Sequence, residues 1–319
     1  MNRKMLFYYI VIFIFGIGLV LFNVSGSFAF EFYEEDLDLK IRGSIIISAT
    51  LGYRMDNLDW NIAGDQYGSN PNILSELEFN DLEIYQAGLE LKVTVNRIYF
   101  RASICLGEIT HGEGTDSDYD QDNRNGLYSR SQFEINNDDV RDMSVGLGYP
   151  FDLLNKKLRL IPLIGLSYHE QNLCITNGVQ IVGSADLEGL NSTYQTEWTS
   201  GWLGMDISFE IMTNLFLSSS LEYHLVDYEA KANWNLREDF AHPVSFTHEA
   251  DGKGTAMKIG ISHLFAEHWG IGLLYSRQKW SASGGYDYLF LATGETITSR
   301  LNEVDWDSRS INLLLSYNS

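Results

Sequence analysis

The sequence predicts an all-β protein: a ten-stranded antiparallel transmembrane β-barrel with short periplasmic turns and long extracellular loops. Three observations predict it. Apolar and polar residues alternate strictly in many segments, the connections alternate between short and long, and aromatic residues gather near segment ends.

The alternation is plain in Met205, Ile207, Phe209 and Ile211, which are separated by Asp206, Ser208 and Glu210. It recurs in Met257, Ile259 and Ile261, in Ile311, Leu313 and Leu315, and in Tyr85, Ala87, Leu89, Leu91 and Val93. Side chains of a strand point to opposite faces in turn, so one face of each segment is apolar and the other carries charge and glycine. A transmembrane barrel directs the apolar face to lipid and the polar face to the lumen, over roughly 9–11 residues per strand.

Ten strand-like segments begin near residues 41, 82, 97, 140, 158, 202, 215, 256, 269 and 306. Short links lie around Asn96, Pro150–Lys157, Thr213–Asn214 and Ala266–His268. Long ones cover about 54–80, 108–139, 172–200, 226–252 and 280–304. Both termini then fall on the short-turn side, the layout of an outer-membrane barrel. Tyr53, Tyr149, Tyr168, Tyr223, Trp269 and Tyr275 are placed near segment ends on the lipid face, where amphipathic rings suit the interface. On the opposite face Glu90, Lys92, Arg101, Asp206, Glu210, Glu222 and Lys258 point inward and are expected to pair into a polar plug.

Residues 1–29 read as a secretory signal peptide. Arg3 and Lys4 precede an apolar run from Leu6 to Phe22, and Ser27-Phe28-Ala29 supplies the small-x-small cleavage signal. The barrel then occupies 30–319. Without Arg3 and Lys4, 20 basic residues face 43 acidic ones, a formal charge of −23. Such a chain does not bind nucleic acid by charge. Cys105 falls with the inward residues Tyr99, Arg101 and Ser103, and Cys174 with the outward Tyr168, Glu170 and Asn172, so two free thiols are expected.

The stretch "GTDSDYDQDNRNG", residues 114–126, places Asp116, Asp118, Asp120 and Asp122 on alternate positions of the second long loop. Three readings compete: a catalytic half-site, a weak calcium site built from carboxylate oxygens, and a solvated acidic loop. The helix-loop-helix calcium pattern is not met, because Gln121 and Leu127 stand where it requires Gly and Glu. Apart from that weak calcium reading, no cofactor is expected.

Several stretches, taken in order, resemble the omptin family of outer-membrane proteases and its relatives, the Protochlamydia-type outer-membrane proteins. "SELEFNDLEIYQAGLELKV" (75–93) is similar to the omptin second strand, "TDSDY" to the Asp-x-Asp-aromatic pair after the third strand, and "YHEQN" (168–172) to the Tyr-x-Glu-x-Arg that holds lipopolysaccharide. The resemblance implies a monomeric surface protein of the cell outer membrane in Gram-negative bacteria, in contact with outer-membrane lipid through Tyr168 and Glu170. It also implies a proteolytic site made of two half-sites, with Asp116 and Asp118 as the first. The second, an Asp-x-His pair, falls on Asn233 and Asn235. An amide takes no proton from water near neutral pH, so the base is missing and the expected protein is non-proteolytic. The alternative is an omptin-type endopeptidase that uses Asp116 and Asp118 with a displaced base; His111, His224 and His242, the last near Asp239, are the imidazoles near the mouth. Asn172 replaces the motif's arginine, which implies weakened contact with phosphate.

Overall fold

A computed structural model describes residues 43–136 and 138–319. The expected signal peptide at 1–29 and the first segment's start near 41 lie outside the described residues. The strands are β1 (Gly43–Ile62), β2 (Ser75–Val95), β3 (Ile98–Gln121), β4 (Asn125–Ile135), β5 (Asp138–Gly148), β6 (Phe151–Leu153), β7 (Leu158–Val182), β8 (Asn191–Met212), β9 (Leu215–Asn233), β10 (Phe246–Leu264), β11 (Trp269–Phe290) and β12 (Thr296–Asn318).

These strands make a ring of ten. β4 and β5 are two halves of one staff of the barrel, both lying between β3 and β7. β6 is a three-residue pairing with β7 inside a turn. From β7 the ring passes through β8, β9, β10, β11, β12, β1 and β2, and β2 closes it on β3. Every pairing is antiparallel, as expected where each strand follows its neighbour through a turn. The short turns fall where the sequence places them. Asn96 and Asn214, at φ 55° and 65°, take the left-handed conformation that asparagine tolerates.

The long loops need correction. Most of 54–80, 108–139, 172–200, 226–252 and 280–304 is strand, so the staves run well past the membrane. The true upper connections are 63–74, 122–124, 183–190, 234–245 and 291–295. The reason is an inversion of the alternation partway along each strand. On β12, Ile311, Leu313 and Leu315 are exposed outside while Ser308, Ser310, Asn312 and Ser316 line the interior. Higher on the same strand the interior residues are Val304 and Trp306, and the outward ones are Asp305, Asp307 and Arg309. The lower half therefore suits lipid outside and a polar lumen; the upper half has the polarity of a water-soluble protein.

Tyr53, Tyr85, Tyr223 and Tyr275 are exposed at the upper edge of the apolar belt, and Tyr53 meets Tyr85 edge-to-face at 5.7 Å. Trp269 and Tyr317 mark the lower edge, 5.2 Å apart. Inside the upper half one apolar cluster fills the barrel. Trp198, Trp280 and Trp306 form its floor, with Trp280 and Trp306 stacked at 5.5 Å. Trp60, Phe79, Tyr194 and Phe246 lie above them. Both cysteines are free.

Candidate functional site

The extracellular mouth is where the resemblance places chemistry. Asp116 pairs across the sheet with Leu77 and Ser131, and Asp118 with Ser75 and Ser129. Cross-strand partners share a face, and Leu77 belongs to the interior cluster, so both aspartates project into the mouth. Ser75 hydrogen-bonds to both carboxyls, and Ser129 to Asp118. Burial pushes the Asp116 carboxyl up to about 8; the charge of Asp118 adds to this and Arg237, reaching in from the β9–β10 loop, opposes it. Burial raises Asp118 as well. Near neutral pH Asp116 keeps a proton beside an acidic neighbour, as like charges at close range require.

Asp120 and Asp122 do not join them. Both are exposed at the hairpin tip, where the Asp122 carboxylate accepts the Asn72 N–H at 2.8 Å and ties the tip to the 63–74 loop. Among the described residues, no three acidic, imidazole or thiol side chains converge as metal ligands, so the four aspartates do not form one donor set.

Across the mouth, Asn233 and Asn235 stand where the resemblance puts the second half-site. Asn235 Oδ1 accepts the Asn191 N–H at 2.8 Å and the Ser192 hydroxyl at 3.0 Å, while its Nδ2 donates to the Gly189 carbonyl at 2.9 Å. This amide fastens the 183–190 loop to the 234–245 loop. Asn233 Oδ1 lies 2.7 Å from His242 Nδ1. Asp239 does not orient His242; it is held by Arg237 in two hydrogen bonds, at 2.9 and 2.8 Å. Arg237 also lies over the Phe240 ring at 3.9 Å. His111 is exposed on β3, and His224 is buried in the lumen below.

On the outer wall of β7, the Tyr168 hydroxyl donates to one Glu170 oxygen, and Asn172 Nδ2 donates to the other at 2.9 Å. Tyr168 is buried against Met143 and Leu166 and does not stand exposed as a girdle tyrosine. Arg141 of β5 brings a guanidinium within 3.7 Å of Glu170. The same guanidinium lies 2.8 Å from Asp139 on its own strand.

The lumen pairs as its inward charges predict. Arg101 binds Asp206 at 2.6 Å and also Glu222, and Lys92 binds Glu90 at 2.6 Å. A second cluster was not anticipated: Arg54 holds Asp56 at 2.5 Å and Asp142 at 2.7 Å, with His169 and His224 nearby. Its signal was Arg54-x-Asp56, charges at inward spacing on a strand whose other face is apolar.

Asp116 makes stability depend on pH. The folded protein keeps this proton to about pH 8, whereas the unfolded chain loses it near pH ~4. Folding takes up a proton between those limits, so stability falls as pH rises through the window. Thermal melts should therefore show Asp116→Asn equal to wild type near pH 4 and increasingly more stable toward pH 8. Parallel profiles would show that the carboxyl titrates normally.

The model of the Protochlamydia outer membrane protein family matches residues 48–318. Comparison with curated protein sequences finds no similar one. Among solved structures, the outer membrane protease OmpT from Escherichia coli superposes with a TM-score of 0.70 at 12% identity, covering 86% of this chain and 97% of that one. The translocator domain of the autotransporter NalP from Neisseria meningitidis reaches only 0.37 at 12% identity, covering 88% and 90%. The likeness to OmpT is one of fold. With a family match that spans nearly all of the described strands, the chain belongs to the Protochlamydia outer membrane protein family and is an outer-membrane β-barrel.

Proposed function

We propose that this barrel is a non-proteolytic surface protein of the outer membrane, acting as a monomer whose upper half is a rigid, solvent-facing platform. The observation that carries the reading is the state of the mouth opposite Asp116 and Asp118. Asn235 uses its whole amide to join two loops, and the side chain that reaches toward the aspartates is Arg237. A guanidinium stays protonated and cannot act as a general base, while peptide hydrolysis by activated water needs one. Asp116 is itself protonated near neutral pH. Full-length protein folded in detergent should give no cleavage of dibasic peptides at neutral pH. Turnover that vanishes in Asp116→Ala would overturn the reading and restore the endopeptidase.

The same reading includes contact with outer-membrane lipid, lipopolysaccharide among it, along the Tyr168–Glu170 wall. Arg141 supports this, because a guanidinium beside a tyrosine and an amide offers charge-assisted donors to a phosphate. Arg141→Ala should weaken lipopolysaccharide binding by about tenfold or more, the size of one lost charge-assisted hydrogen bond. Unchanged affinity would remove this wall from the binding surface.

A further inference from the structure

The lumen below the tryptophan floor contains a hydrogen-bond chain that neither the mouth nor the lipid wall uses. Asp142 Oδ1 lies 2.8 Å from His169 Nδ1, and His169 Nε2 lies 3.2 Å from Ser167 Oγ. Ser167 and His169 are two positions apart on β7, so they share the inward face. Asp142 is the direct cross-strand partner of His169 on β5. We propose that Asp142, His169 and Ser167 form a serine nucleophile site on the inner wall, able to take a small acyl group from a carboxylic ester.

Geometry supports each role. The other Asp142 oxygen accepts from Arg54 Nη1 at 2.7 Å, which fixes the carboxylate and leaves Oδ1 for the imidazole. With Nδ1–H donated to Asp142, His169 presents a bare Nε2 to the Ser167 hydroxyl, the tautomer a general base needs. Trp280 packs on the imidazole at 4.7 Å and holds its plane. Ser167 Oγ also contacts Ser200 Oγ at 2.8 Å and His224 Nδ1 at 3.4 Å.

These groups line a cavity of about 120 Å³ that also takes in Ser144 and Lys258. The volume suits an acetyl-sized group and not a lipid chain. Ser144 stands opposite Ser167 in the β5–β7 register, and its hydroxyl is buried with no hydrogen-bond partner. That hydroxyl is free to meet an oxyanion formed at Ser167. In the same lumen the Lys92–Glu90 pair remains partly exposed.

In the proposed step Ser167 Oγ bonds to the ester carbonyl carbon while its proton passes to His169 Nε2. The tetrahedral adduct then breaks its bond to the alcohol oxygen, and His169 returns the proton to the departing alcohol. Water repeats the sequence on the acyl-serine, releasing the acid and restoring Ser167.

A methyl fluorophosphonate probe tests the site, since the serine oxygen displaces fluoride from phosphorus as its proton leaves through His169. The full chain, folded in detergent micelles as judged by heat-dependent gel mobility, should gain one adduct, mapped by peptide mass to Ser167. S167A should show no adduct there, and H169Q should slow labelling by at least about 100-fold, the share of a general base. If H169Q does not fold, D142N is expected to slow labelling likewise. Folded wild type that carries no adduct at Ser167, or an adduct whose rate is unchanged in H169Q and D142N, would overturn the proposal.

Discussion

Trp306→Ala should destabilise the folded barrel by about 3–5 kcal/mol, the range for removing a large aromatic from a packed interior. The residue is 1% exposed. Its ring stacks on Trp280 at 5.5 Å, approaches Trp198 at 5.9 Å and underlies the Arg54 guanidinium at 5.4 Å. Its Nε1–H donates to Asp56 Oδ2 at 2.9 Å. The substitution therefore opens a cavity in the upper cluster and removes a donor from a buried carboxylate in the lower one. Trp306→Phe keeps the ring and loses the donor, so it should cost far less. Urea unfolding in lipid vesicles measures both. Equal losses for the two variants would mean that the hydrogen bond, and not the packing, carries the effect.

Arg101→Met should cost a similar 3–5 kcal/mol, by a different route. Removing one partner from a buried ion pair leaves charge uncompensated. Arg101 serves two acids at once, Asp206 and Glu222, and lies 5.0 Å over the Trp202 ring. Methionine replaces the stem but leaves two carboxylates facing each other in the lumen. Arg101→Met combined with Glu222→Gln should recover a large part of the loss, because one of the two stranded charges is gone. If the double variant is no more stable than the single one, the arginine acts through its packing on Trp202 and not through charge.

How much of this could be read from the sequence depends on which half of a strand is considered. In the lower half, alternation such as Ile311, Leu313 and Leu315 against serine and asparagine states the strand, its outward face and its solvent. In the upper half the period is still two, but Trp306 and Val304 occupy the parity that is polar below. A reading that follows apolar residues on the outward parity loses the strand at that crossing and assigns the remainder to a loop. The break between β4 and β5 hid the upper half of one stave, β4, in the same way. At the site, Asp116 and Asp118 lie in a stretch that reads as loop, and only their pairing with Leu77 and Ser75 sets them inward. What Asn235, Arg237 and Arg141 do was not legible either, because each acts on a residue from another strand or loop, and a linear motif records no such neighbour.

The crossing of polarity also fixes how deep the protein sits. A strand advances roughly 6.6–6.8 Å for every two residues. Sinking by one such step would draw the exposed Arg277 and Lys279 into the outer edge of the hydrocarbon, and rising by one would lift Leu221 and Ile311 into water. A basic side chain costs about 2–4 kcal/mol at the bilayer midplane and less toward the interface, and ten staves would meet their penalties together. The barrel is therefore a float with a narrow waterline. Its rim stands at a set height above the membrane surface, and a partner that meets the rim meets it at that height on every copy.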